Sequence, residues 1–189
     1  MKILRAFPLV AVVAVLSCAG IPKPESPEDS LVVGSLVLDF PDGFFGFPSR
    51  TIASGIELTI VNTTRNYSFS VRTGPDGYYA FGSNGHDRFS LASFHYEEKV
   101  LSWERVTLEN KLEVPITVSP GTVRYVGRLT ITFAHPQRSN VEAGRATLWD
   151  YVASIACANC RGDMTEYIKS MDPESPWLSR DVDDLMVIR

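Results

Sequence analysis

Apolar and polar residues alternate with a period of two through most of the chain between residues 31 and 133, and that period predicts β-strands. The stretch 31–40, Leu-Val-Val-Gly-Ser-Leu-Val-Leu-Asp-Phe, reads as a strand that is apolar on much of both faces. Ile56, Leu58 and Ile60 alternate with Glu57 and Thr59, as a half-buried strand requires. Tyr67, Phe69 and Val71 repeat the pattern against Ser68, Ser70 and Arg72. Residues 78–81, 88–98, 103–108, 112–118 and 123–133 continue the series, the last with Val123, Tyr125, Gly127, Leu129, Ile131 and Phe133 assigned to one face. Turn chemistry separates the strands at Pro41-Asp42-Gly43, Gly74-Pro75-Asp76-Gly77, Gly82-Ser83-Asn84-Gly85 and Ser119-Pro120-Gly121-Thr122. Seven or eight short strands with such punctuation predict a β-sandwich or a small barrel.

From Ser139 the period turns helical. Ser139-Asn140-Val141-Glu142 reads as a capping box, Leu148, Val152 and Ile155 recur at helical spacing, and Gly162 is placed to end that helix. Asp163-Met164-Thr165-Glu166 reads as a second cap, with Tyr167, Ile168 and Met171 inward and Asp172-Pro173 as the stop. Ser175-Pro176 opens a third helix carrying Leu178, Val182, Leu185 and Met186 on one face, with a terminal strand over 185–188 as the alternative.

The N-terminal pattern is of another kind. Lys2 and Arg5 precede an apolar run over 7–16, which leads into Val15-Leu16-Ser17-Cys18-Ala19-Gly20. This is the build of a secretory signal peptide, and the run is too short for a transmembrane helix of about 20 residues. Cys18 stands directly after a small residue, where cleavage is expected, and the segment resembles the lipobox of bacterial lipoproteins. The resemblance implies a signal peptide over 1–17, a diacylglycerol on the Cys18 thiol, and an acylated new N-terminus. With Ala19 after the cysteine, it implies sorting to the outer membrane. Multiple acyl chains hold a protein stably on a leaflet. Residues 18–30 include Ile-Pro-Lys-Pro-Glu-Ser-Pro-Glu-Asp-Ser, which reads as a flexible or extended tether.

Composition narrows the field. Apolar content of 44% and charged content of 21% are ordinary for a globular protein. Loss of Lys2 and Arg5 with the leader takes the basic count from 18 to 16 against 22 acidic residues, a net charge of −6. With no basic cluster, nucleic acid is not an expected partner.

Thr73-Gly74-Pro75-Asp76-Gly77-Tyr78-Tyr79-Ala80-Phe81, preceded by the strand Gly55-Ile56-Glu57-Leu58-Thr59-Ile60, is similar to the carboxypeptidase regulatory-like domains. These are small prealbumin-like (transthyretin-like) β-sandwiches. Residues 118–127 resemble a hairpin of bacterial lipoproteins of similar layout. The resemblance spans 31–133 and implies a seven- or eight-stranded sandwich without catalytic residues, suited to support or binding. The stretch 97–113 departs from the compact pattern of that family.

The chemistry-bearing candidates are few. Cys157-Ala158-Asn159-Cys160 has the spacing of a redox pair, but it falls at the C-terminal end of the predicted helix, where the dipole disfavours thiolate. A local disulfide between Cys157 and Cys160 is therefore the expectation, since the i,i+3 spacing tolerates one. His86, His95 and His135 share no motif spacing, so neither a metal site nor a cofactor is expected. Phe40, Phe44, Phe45 and Phe47 crowd one loop, which either folds back on the sandwich or forms a patch for a partner. Arg161-Gly162-Asp163 is read as helix punctuation, and the sequons at Asn62 and Asn66 as chance. The resulting expectation has four parts: a leader over 1–17, a lipidated tether over 18–30, a β-sandwich over 31–135 and a helical segment over 136–189. It describes a non-catalytic binding or assembly module, anchored by lipid in the bacterial envelope and partnered there by another envelope protein. The alternatives are an envelope thiol-disulfide oxidoreductase using Cys157 and Cys160, and a carbohydrate-binding module using exposed aromatics such as Trp103 or Tyr79.

Overall fold

The computed structural model describes residues 20–43, 48–84, 86–99, 105–133, 151–156 and 159–183. These are mainly β. The strands are β1 (Asp29–Phe40), β2 (Arg50–Ile52), β3 (Glu57–Asn62), β4 (Tyr67–Arg72), β5 (Tyr78–Asn84), β6 (Arg88–Lys99), β7 (Arg105–Thr117), β8 (Thr122–Phe133), β9 (Tyr151–Ala156) and β10 (Asp181–Asp183). The helix α1 (Cys160–Met171) and a 3₁₀ turn, Pro176–Ser179, lie near the C-terminal end.

The strands form two sheets, giving the expected sandwich with ten strands rather than seven or eight. The second sheet has the order β4-β3-β6-β7 and is antiparallel throughout. At the centre of the first sheet β1 and β8 run parallel. Two short strands share each outer edge of this pair: β5 and β2 along β1, β10 and β9 along β8. The segments 103–108 and 112–118, read above as two strands, are represented among the described residues by the single strand β7 (Arg105–Thr117). Its register with β6 runs from Arg88–Thr117 to Lys99–Arg105 and absorbs one irregularity between Leu91 and Ser93.

Between the sheets lies a core of Leu36, Leu38, Phe40, Leu58, Ile60, Phe81, Phe89, Leu91, Phe94, Leu129, Ile131 and Phe133, among others. Alternation explains most of these inward positions. Phe40 stacks on Phe133 at 4.9 Å, and Phe69, Phe81 and Phe89 meet edge to face.

One bulge corrects the reading of β8. Val33 faces Tyr125 across the ladder, but Ser35 faces Arg128, so β8 carries an extra residue there. Gly127 takes φ +94°, a conformation that glycine adopts without steric cost. The inserted residue inverts the parity of the strand. Val123 and Tyr125 point to the outer face of the first sheet, whereas Leu129, Ile131 and Phe133 point into the inter-sheet core.

The outer face is covered by a second core. Leu31, Val33, Val123 and Tyr125 pack there against Met164 and Ile168 of α1 and Trp177 of the 3₁₀ turn. This layer explains why β1 is buried on both faces from Ser30 to Leu38.

Residues 20–30 differ from a free tether. Ile21 packs into the second core, and the Trp177 indole Nε1–H donates to the Pro22 carbonyl at 2.6 Å. The Arg180 guanidinium donates to the carbonyls of Pro27 and Ser26 and lies 5.9 Å from the Trp177 ring centre. The Asp29 carboxylate accepts from the amides of Glu25 and Ser26, at 2.6 and 2.7 Å, which holds its pKa below the usual carboxylate value. The N-terminal segment is therefore bound to the C-terminal segment as part of one body, and the sandwich begins at Asp29.

The C-terminal third departs most from expectation. Residues 151–156, assigned above to a helix, form strand β9 on β8, from Arg128–Ala156 to Phe133–Tyr151. Gly162 lies inside α1 and does not end the preceding element. Asp172 does close α1, its amide donating to the Ile168 carbonyl at 2.9 Å. Met171, expected inward, is exposed. Ser175-Pro176 starts only a 3₁₀ turn, and the chain then enters β10, parallel to β8, in place of the third helix over these residues. The capping box at Ser139 and the residues 184–189 lie outside the described residues.

Candidate functional site

Cys160 is the first residue of α1, the opposite end of a helix from the expected one. The N-terminus of a helix favours thiolate, so the electrostatic objection to redox chemistry at this position is removed. Cys160 is disulfide-bonded and half-buried against the second core. Cys157 and Cys18 lie outside the described residues. Asn159 occupies the cap position without a side-chain cap bond, and the Asp163 amide donates to its carbonyl at 3.0 Å. The triplet Arg161-Gly162-Asp163 forms part of the first turn of α1.

Three tyrosines from three elements meet beneath the helix. Tyr78 stacks on Tyr167 with ring centres 4.6 Å apart, and its hydroxyl is hydrogen-bonded to that of Tyr125. Burial pushes all three pKa values above that of a free phenol; Asp163 adds to the rise at Tyr78 and Tyr125, and Arg128 opposes it. These phenols are thereby held protonated.

Phe40 is buried in the inter-sheet core, with Arg50 5.5 Å from its ring centre, and so is no part of an exposed aromatic patch. Phe44, Phe45 and Phe47 lie outside the described residues. Tyr79, offered above as an exposed aromatic, is fully buried, and Trp103 lies outside the described residues. His86 is exposed in a turn and His95 stands on β6; His135 lies outside the described residues. Among the described residues no group of three His, Cys, Asp or Glu side chains could hold a metal ion. No helix among them is long and apolar enough to cross a membrane.

The sequon asparagine Asn62 is buried, and its side-chain oxygen accepts from the amides of Thr64 and Arg65. Asp87, also buried, accepts from Arg65 Nε at 3.1 Å and from the Ser83 hydroxyl at 3.3 Å. Together these groups close the loops at one end of the sandwich. A shallow depression on the outer face of the second sheet is lined by Val61, Ser90, Ala92, Ser93, Lys111 and Glu113. It carries small and mixed-charge side chains without a convergent set of catalytic groups. The placement of Cys160 escaped the sequence reading because an apparent helical spacing over 148–160 hid a strand; Asn159, a good cap residue, was the signal for a helix starting there.

Comparison of the chain with protein-family models and with curated proteins yields no match.

Proposed function

We propose that this protein is a lipoprotein of the bacterial envelope, binding or assembling with another envelope protein at the membrane surface and performing no catalysis. The observation that carries this reading is the order of a short basic region, an apolar run and Ser17-Cys18-Ala19 at the N-terminus. The sandwich supports it as a body suited to binding. Phe44, Phe45 and Phe47 remain the proposed contact loop. In the sequence they follow Phe40, the last residue of β1. Mass spectrometry of the N-terminus of the membrane-extracted protein tests the anchor: acylated Cys18 is expected, and an unmodified chain overturns it. Crosslinking from membranes tests the binding role: one specific envelope partner is expected, and turnover of any substrate refutes the non-catalytic reading.

The position of Cys160 favours one second reading, an envelope thiol-disulfide oxidoreductase. The partner cysteine would be Cys157, and the α1 dipole would stabilise the thiolate. Titration of the reduced thiols decides between the two: a thiol pKa below neutral with exchange on a dithiol substrate supports the oxidoreductase, whereas an inert disulfide removes it. The carbohydrate-binding alternative loses Tyr79 and keeps Trp103, and a glycan array with Trp103→Ala as control tests it.

A further inference from the structure

Resting on the proposed acylation of Cys18, we infer that the layer formed by α1 and the 3₁₀ turn is the side of the molecule that meets the lipid surface, held there by a four-residue leash. The argument starts from where the chain is first fixed. Ile21 is packed into the second core, and the Pro22 carbonyl is bonded to the Trp177 indole. Pro22 also lies over Gly82 on β5, where an added Cβ would come within 3.5 Å of its ring, so it is seated between the first sheet and the helical layer. Downstream, the Arg180 contacts to Ser26 and Pro27 and the Asp29 contacts to Glu25 and Ser26 keep the segment from peeling away.

Pro22 stands four positions after Cys18, and a fully extended chain spans at most about 3.5 Å per residue. The Cα of the acylated cysteine is thus held within roughly 14 Å of that of Pro22. A free tether over 18–30 would have allowed about three times that reach and any orientation. The second sheet lies on the far side of the first sheet from α1, and a sheet spacing of about 10 Å plus a helix diameter of about 10 Å places its outer face some 20 Å further from the lipid. The outer face of β4-β3-β6-β7 is thereby turned toward the aqueous space, where a soluble or neighbouring envelope partner would reach it.

The test uses the full acylated protein reconstituted in phosphatidylethanolamine–phosphatidylglycerol vesicles carrying a headgroup energy acceptor. A fluorescent amino acid replaces either Lys169, exposed on α1, or Ser68, exposed on β4. Transfer from position 169 at least twofold more efficient than from position 68 is expected. Insertion of twelve Gly and Ser residues between Ala19 and Ile21 should bring the two values together without changing the melting temperature. Equal transfer from the two positions in the uninserted protein, or stronger transfer from 68, overturns the orientation while the anchor stands. An unchanged difference after insertion overturns the leash as its cause. A mature N-terminus without lipid removes the anchor and this inference together, and mass spectrometry of the same preparation reports it separately.

Discussion

Gly34→Ala is the sharpest probe of how the first sheet meets the core. Gly34 pairs with Tyr79 across the β1–β5 ladder, and the Tyr79 ring lies over the glycine. A Cβ at residue 34 would stand 2.4 Å from both Cζ and Oη of Tyr79 and 2.9 Å from Cε1. Ordinary carbon contacts are about 3.5–4.0 Å, so the ring must retreat by more than about 1 Å inside a packed core. Over-packing of this kind costs about 1–3 kcal/mol, and the smaller unfolded-state entropy of alanine returns about 0.4–1 kcal/mol. A net loss of about 1–2 kcal/mol is expected, which lowers the urea midpoint by roughly 0.5–1 M at a slope of about 2 kcal/mol/M. Tyr79→Leu removes the atoms that clash. In that background Gly34→Ala should therefore be close to neutral, leaving a coupling energy of about 1–2 kcal/mol in the double-mutant cycle. The reasoning fails if Gly34→Ala costs less than about 0.5 kcal/mol, or costs the same in both backgrounds.

Other predictions address buried polar groups and the N-terminal contact. The Tyr79 hydroxyl has no hydrogen bond among the described residues, and burial alone holds its pKa far above that of a free phenol. Between about pH 10, where the unfolded chain ionises, and the raised folded value, the unfolded state binds fewer protons, so stability falls as pH rises. Tyr79→Phe should be neutral or stabilising at pH 7 and should flatten the alkaline decline by up to about 1.4 kcal/mol per pH unit, as read by denaturation from pH 8 to 11.5. Asp87→Ala should cost about 1–3 kcal/mol because it strands the buried Ser83 hydroxyl, and Arg65→Ala should cost no less, because it leaves the buried Asp87 carboxylate without its ionic partner; urea titration of both variants checks the order. Trp177→Phe keeps an aromatic ring but loses the bond to the Pro22 carbonyl, so a loss of about 1 kcal/mol and faster cleavage after Glu25 by a glutamyl endopeptidase are expected; unchanged cleavage would show that Trp177 does not hold the segment.

Period-two alternation made β3 and β4 readable, because each keeps one face on the inter-sheet core throughout, whereas β6 changes parity between Leu91 and Phe94 at its irregularity and stayed legible only as a β segment. The turn at Gly74-Pro75-Asp76-Gly77 was equally legible: its local bonds, Gly77 amide to Gly74 carbonyl and Gly74 amide to Tyr78 carbonyl, depend on nothing distant. β8 was misread because a bulge changes parity without changing composition. Its sequence reads as one uninterrupted amphipathic strand, and only Gly127 marks the break. Residues 151–156 were misread for a different reason. Tyr-Val-Ala-Ser-Ile-Ala suits either period, and pairing with β8, supplied by the tertiary fold, decides. The proline-rich segment after Cys18 looked untethered because its partners, Trp177 and Arg180, lie more than 150 residues away. For Cys160 the spacing to Cys157 was visible, but the helix end that sets its electrostatics was not.

The parallel pairing of β1 with β8 also bears on how fast the molecule can assemble. Leu31 must find Val123, so the central ladder closes a loop of about ninety residues before it gains its first bond, and loop entropy slows such non-local steps. The antiparallel ribbon of β3, β4, β6 and β7 pairs residues at most about forty apart and can form earlier. Until β8 emerges, β1 presents an uncharged hydrophobic strand from Ser30 to Leu38 with one whole edge unsatisfied, so the nascent chain is most prone to self-association through its own first strand.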